Sequence, residues 1–329
     1  MKIYQASGNS RLTEMQTLSK EDDLIKIKVT HLLISESDVN LFSGQYIVSA
    51  PFTIGKIAIG VVSDDRPEYE LRRGMKVILN PYVERTSERR DHETVIKTKG
   101  VDIDGFFGDY MFLPPDKIIP FPEEVEEKEA LFTVNIATAL RVLNSFKGEK
   151  GDHIAIFGSD SVCCIIAQLA IYFQYIPIMI DSNEKRLQIA REKGVYYTVN
   201  STKEVPADRV KEITGGRMVD FSIINLNSEN SCAFLFPITK EGGDCIILCD
   251  SKTTRTVDAD VSLIGKRRLR VEGIVEGSSE MQSAVNVLVQ NILDLNGFID
   301  KEIEIKDAEM CLRELVDNPE YYYGLVVRL

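Results

Sequence analysis

No cysteine precedes Cys163 in this 329-residue chain, and only three histidines occur anywhere in it. The first half therefore has no thiolate from which to build a disulfide or a sulfur-ligated metal site. The six cysteines (163, 164, 232, 245, 249 and 311) sit in apolar runs such as VCCIIAQLA and CIILC, where a thiol serves as a small buried hydrophobe. Cys245 and Cys249 stand four apart on an expected strand, on one side of it but too distant for a local clip. Basic excess is missing too: 39 Lys and Arg are set against 51 Asp and Glu, a net charge of −12. A phosphate-backbone partner calls for the opposite balance, so no nucleic-acid partner is expected. No apolar run is long enough to span a membrane. The longest, 162–180, is broken by Gln168, Gln174 and Pro177, short of the about 20 residues needed. The opening MKIYQASGNSRLTEM has no apolar core of signal-peptide length, so the expected address is cytoplasmic.

What remains is ordinary globular material, 44% hydrophobic and 27% charged, and long enough for two domains. Residues 1–125 read as β-rich: LIKIKV (24–29) alternates, KIAIGVV (56–62) is a short apolar strand, and GMKVILNP (74–81) follows a turn. The stretch 83–100 is polar and without periodicity, and reads as an exposed loop. Residues 126–147 carry apolar positions at helical spacing, acidic at the start and basic at the end. From 151 the pattern becomes strand–helix–strand–helix: GDHIAIFG, VCCIIAQLAIYFQ, IPIMID and NEKRLQIAREKG. That is the pitch of a doubly wound parallel sheet. Strands follow at 219–226, 242–250 and 269–275, a helix at 280–295, a strand at 299–305, a helix at 306–318 and a closing strand at 322–329.

The order of these phrases resembles the medium-chain dehydrogenase/reductase family, to which zinc alcohol, sorbitol and threonine dehydrogenases belong. LIKIKVTHLLISESDVNLFSG is similar to the family's opening strands with their Cys-x-Ser-Asp corner. PFTIGKIAIGVV is similar to its Gly-His-Glu-x-x-Gly segment, and LRRGMKVILNPY to its x-x-Gly-Asp-x-Val strand. DIDGFFGDYMFLPPDKIIPFPEEV resembles its Asp-Gly-Gly-Phe-Ala-Glu-Tyr strand and turn. GDHIAIFGSDSVCCIIAQLA and MIDSNEKRLQIAREKGV resemble its first nucleotide-binding βαβ. The resemblance implies an α/β chain with a GroES-like β-rich domain at 1–125, a Rossmann domain at 126–290 and a return to the first domain at 291–329.

The departures from the family pattern bear on chemistry. Where zinc members hold the catalytic metal, the corresponding residues are Ser35, Lys56, Ile57 and Val134. Zinc wants thiolate, imidazole or carboxylate, and a hydroxyl, an ammonium and two alkyls offer none. The lobe that carries four structural cysteines in the family contains none here, and His92 alone cannot make a site. No zinc is expected. At the first strand–helix turn, the family's Gly-x-Gly-x-x-Gly becomes Gly158-Ser159-Asp160-Ser161-Val162-Cys163. The first glycine is kept, Asp160 puts a negative charge beside the expected diphosphate, and Cys163 is small enough to pack. Asp181 closes the second strand, where an acid would hold the ribose hydroxyls of NAD and disfavour the 2′-phosphate of NADP. It reads equally well as a helix N-cap or strand-end turn.

Ser37 matches the family's relay hydroxyl but is a poor base without a metal, and a turn serine capping SDVNLF explains it as well. Lys56 could serve as an electrophile or general acid toward a carbonyl, or simply pair with a nearby carboxylate. Thr138 corresponds to a family threonine at the nicotinamide, although helix packing accounts for it too. His31 shares the inward parity of Ile25, Ile27 and Val29 and reads as a hydrogen-bonded core residue. His153 reads as structural, and Tyr321–Tyr323 as packing.

Two functions compete. One is a zinc-independent NAD(H)-type oxidoreductase acting on a small alcohol or carbonyl in an interdomain cleft. The other is a non-catalytic family descendant that keeps the fold as a ligand-binding, regulatory or partner subunit. An uncharged nucleoside in the same crevice is a third possibility, because it would tolerate Asp160. The family's habit of pairing nucleotide-domain edges points to a homodimer through 269–275.

Overall fold

The alternation at the front of the chain becomes a sheet. A computed structural model describes residues 2–6, 10–16, 24–48, 51–86, 94–226, 232–254, 256–318 and 323–329. Its first elements are β1 (Lys2–Ala6), β2 (Leu12–Gln16), β3 (Ile25–Leu33), α1 (Glu36–Ser43), β4 (Phe52–Thr53), β5 (Ile57–Val62) and β6 (Lys76–Leu79). There follow β7 (Tyr82–Thr86), β8 (Thr94–Thr98), β9 (Tyr110–Leu113), β10 (Ile118–Pro120), α2 (Glu127–Ala130) and α3 (Thr133–Asn144). In β3, Ile25, Ile27 and Val29 are buried while Lys28 is exposed, as a half-buried strand requires. The register then slips between Val29 and His31, against β5. The slip moves the inward parity to Leu32, which is fully buried, and leaves His31 only half-buried. His31 is thus not the hydrogen-bonded core residue that strict alternation suggests. Its Nδ1 has no hydrogen-bond partner and stands 3.4 Å from Glu127 Oε2.

The second half runs through β11 (His153–Phe157), α4 (Ser161–Tyr172), β12 (Ile176–Asp181), α5 (Glu184–Glu192), β13 (Tyr197–Asn200), α6 (Pro206–Ile213) and β14 (Val219–Asn225). It continues with β15 (Thr239–Leu248), α7 (Ser262–Lys266), β16 (Arg270–Ile274) and α8 (Met281–Val289). These strands form one sheet in the order β13-β12-β11-β14-β15-β16, with every pairing parallel. This is the strand order of a dinucleotide-type fold. Every residue of β11 is buried, as a central parallel strand covered on both faces must be. The chain ends with β17 (Lys301–Glu304), α9 (Ala308–Asp317) and β18 (Leu325–Arg328). β18 returns to the first sheet, whose order is β10-β6-β5-β3-β18-β17, with β9 also on β3. Gly324 makes that return possible: a Cβ there would overlap the carbonyl of Phe298.

The chain divides into two compact units, 1–134 with 298–329 and 135–297. The exchange falls inside α3, later than the 125/126 boundary read from sequence, because Ala130 to Phe132 bury themselves with the first unit's residues. Three elements differ from the sequence reading. The loop expected at 83–100 holds a hairpin of β7 and β8, in register from Tyr82–Thr98 to Thr86–Thr94. The helix expected at 126–147 is two, parted near Thr133, whose hydroxyl donates to the carbonyl of Ala130 at 2.7 Å in competition with the helical ladder. The helix expected at 280–295 stops at Val289, followed by Asn291 with φ +51°, a left-handed terminator. Among the described residues, no helix is long and apolar enough to cross a membrane.

Candidate functional site

In the first unit, Ser35 takes extended backbone (φ −102°, ψ 165°) and caps α1. Three residues on, Asp38 reaches back. Its Oδ2 accepts the Ser35 N–H at 2.8 Å and the Ser35 hydroxyl at 2.6 Å, a capping box made with a carboxylate. Its Oδ1 accepts the N–H of Gly55 at 2.6 Å. Gly55 has φ +100°, and a Cβ there would lie 2.8 Å from Leu32 and 2.9 Å from the nitrogen of Phe107, so only glycine brings that N–H to Asp38. The Ser37 hydroxyl is buried and lies 3.2 Å from that of Ser35. Burial pushes the Asp38 carboxyl up from its ordinary range. Its hydrogen bonds to Ser35 and Gly55, and the charge of Lys56, pull the other way.

Ser35 is thus tied to one buried carboxylate, with the Ser37 hydroxyl reached through that of Ser35 and the charge of Lys56 felt at Asp38. Sequence reasoning undervalued Asp38, although the Ser-x-x-Asp spacing at 35–38 signals a capping box. It also took Ser37 as the possible cap, and the structure gives that place to Ser35. Ile57 and Val134, at the remaining metal-ligand positions, are buried alkyl groups.

In the second unit, Gly158 turns the chain after β11 with φ +102°, a conformation that glycine alone adopts readily. The Ser159 hydroxyl donates to Asp181 Oδ2, and Asp181 Oδ1 accepts the N–H of Asn183 at 2.7 Å. The cap of α5 is Asn183, which accepts from Lys185 and Arg186. The N-cap reading of Asp181 is therefore corrected, and Asp181 makes the strand-end turn. Asp160 is the N-cap of α4: Oδ1 accepts the Cys163 N–H at 2.9 Å, and Oδ2 accepts Nδ2 of Asn225 at 2.9 Å. Asn135 donates to the hydroxyl of Ser161 at 3.1 Å. Asn225, Ser159 and Asn135 were not found from sequence, since each acts through a partner that spacing does not reveal. Cys163 is fully buried where the third motif glycine would stand. Thr138 lies half-buried on α3, with Gly277 close against its backbone: a Cβ on Gly277 would be 2.6 Å from the Thr138 nitrogen. A pocket of about 400 Å³ lies at the opposite, amino end of this sheet. Its lining includes the ion pairs Lys240–Asp220 and Arg270–Asp244.

These donor sets can be tested against the groups that the resemblance implies. A zinc ion does not fit the first site, which offers two hydroxyls, an ammonium and a single carboxylate already holding three donors. Among the described residues, no group of three His, Cys, Asp or Glu is placed to hold a metal; His92 lies outside the described residues. For a dinucleotide the fit is divided. Asp181 closes β12, where the family pattern would put an acid for ribose hydroxyls, whereas Asp160 carries a carboxylate where a diphosphate would approach.

Residues 21–123 match the family described as alcohol dehydrogenase GroES-like domain, and residues 162–290 match that described as zinc-binding dehydrogenase. The chain belongs to the medium-chain dehydrogenase/reductase superfamily. An uncharacterized zinc-type alcohol dehydrogenase-like protein of Haemophilus influenzae is 25% identical to this superfamily member over 324 residues, covering 96% of this chain and 94% of its own. Among solved structures, the L-idonate 5-dehydrogenase of Escherichia coli K-12 superposes with a TM-score of 0.85 at 18% identity, covering 100% of this chain and 98% of that one. An alcohol dehydrogenase from Escherichia coli CFT073, solved with NADH, gives 0.84 at 17% identity, covering 100% and 99%. At these identities the two structures bear on fold: this superfamily member has the GroES-like and Rossmann units expected of it.

Proposed function

We propose that the protein is a zinc-independent oxidoreductase that acts on a small alcohol or carbonyl with NAD(H). The reading is supported by one observation: a buried carboxylate, Asp38, ties Ser35, whose hydroxyl lies 3.2 Å from that of Ser37, and it feels the charge of Lys56. Ser35 and Lys56 correspond to positions where the resemblance puts zinc ligands. In this assignment Lys56 supplies the positive charge. Its ammonium holds a proton that a substrate oxygen takes as negative charge develops there, the work of a general acid. The hydroxyls of Ser35 and Ser37 orient the same oxygen, and Asp38 fixes Ser35 and stabilises the ammonium. In the other unit, Asp181 receives the ribose hydroxyls with lone pairs left over from its two bonds. Its carboxylate favours NAD over NADP. A bound nicotinamide supplies the redox chemistry that no side chain of this site can provide.

Turnover of NADH with a panel of small aldehydes and ketones tests the assignment. Activity should persist in EDTA, and Lys56→Met should lower kcat by about 100-fold with little change in KM. Loss of activity on chelation would return the chemistry to a metal. Absence of turnover with every substrate would favour the second reading, a non-catalytic descendant with a degenerate nucleotide site. One observation supports that alternative: the bonds that fix Asp160 at the start of α4.

We further propose a cytoplasmic homodimer, with a small molecule as its ligand and neither nucleic acid nor membrane as a partner. The edge strand β16, largely exposed, would pair with its copy. Light scattering should give about twice 37.0 kDa, and a monomer mass would refute the pairing.

A further inference from the structure

We infer that Asp160 is a built-in anion that competes with the diphosphate of a dinucleotide for the start of α4, so that it sets which ligands that helix start admits. The inference rests on the NAD(H) reading above and deepens it. Helix α4 is 12 residues long, and its first-turn N–H groups and dipole attract negative charge. The Asp160 carboxylate already occupies that position. It takes the Cys163 N–H on one oxygen and the Asn225 amide on the other, each at 2.9 Å.

Asn225 is buried at the end of β14, 65 residues away. The carboxylate is therefore held by two elements of the fold and does not swing freely on the surface. A tethered group meets its partner at an effective concentration that a dissolved ligand rarely reaches. A diphosphate must displace it from the Cys163 N–H and then lie beside the displaced charge, in a site where like charges repel strongly. A ligand that carries the adenosine end alone makes neither demand. Asp160 is thus a specificity-determining residue, raising the dissociation constant for phosphate-bearing ligands while sparing their nucleoside part.

Calorimetric titration of the full-length protein with NADH and with adenosine tests this on three forms: wild type, Asp160→Asn and Asp160→Gly. Asparagine keeps the helix cap without the charge, and glycine removes both. NADH should bind about tenfold or more tightly to Asp160→Gly than to wild type, with Asp160→Asn between them, while adenosine affinity stays the same in all three. If wild type binds NADH and neither variant binds it more tightly, the inference falls and the NAD(H) reading stands. If no form takes NADH, both fall. Equal tightening of adenosine and NADH would also overturn the inference, because the effect would then not concern the diphosphate. Should the glycine variant unfold, Asp160→Asn decides alone: unchanged NADH affinity there refutes the competition.

Discussion

Asp38 is fully buried and holds three donors on two oxygens. Asp38→Ala would strand the N–H groups of Ser35 and Gly55, and leaving buried donors unpaired costs about 1–3 kcal/mol each. Urea unfolding should therefore register a loss of about 2–5 kcal/mol for this variant. Ser35→Ala keeps the backbone bond and should cost about 1 kcal/mol. Equal losses for the two would mean that Asp38 acts only through the Ser35 hydroxyl. Part of this site was legible in the sequence, because Ser35 and Asp38 stand at capping-box spacing. The third bond was not, because Gly55 comes from the loop between β4 and β5, 17 residues on. Asp160 gives the same lesson. Its charge beside the expected diphosphate is visible in the order of residues, but its engagement with Asn225 depends on the parallel strands β11 and β14 lying side by side.

At the scale of elements, periodicity located most strands and helices, and the misreadings have local causes. The slip at Val29 and His31 breaks the period-two rule that placed His31 in the core. The 82–98 hairpin escaped notice because its pairing is between strands and leaves no apolar alternation to read. The closing strand was expected from YYGLVVRL, but its place between β3 and β17 is a matter of topology. That placement yields a prediction at Gly324, where any Cβ meets the carbonyl of Phe298. Gly324→Ala should cost about 1–3 kcal/mol by overpacking and speed hydrogen exchange in β18 and its neighbours β3 and β17. Unchanged protection there would mean that the strand seats without the close approach.

Across the whole molecule, two described histidines, one in each unit, contribute to the loss of stability just below neutral pH. Burial holds His31 and His153 below their ordinary range, despite the opposing pull of Glu127 on the first and Asp220 on the second. Both stay neutral when folded at a pH where the unfolded chain is protonated. Stability is complete above the unfolded value near 6.5 and is lost as pH falls through the lower folded values. Carboxylates held low, such as Glu184 at about 2 under the hold of Lys203, Asn200 and Arg191, titrate well below that window. Urea midpoints should drop between pH 7.5 and 5.5, and the double variant H31Q/H153Q should drop less. Identical slopes would remove the histidines from the account.

The seating of Leu325–Arg328 between β3 and β17 also fixes an order of events during synthesis. Residues 135–297 emerge from the ribosome complete, whereas the opening sheet waits with an unfilled lane for a strand made after them. The usual N-terminal-first sequence of domain folding is thereby opposed, and until residues 325–328 have been made the nascent chain carries an unfilled strand edge that other nascent chains can capture.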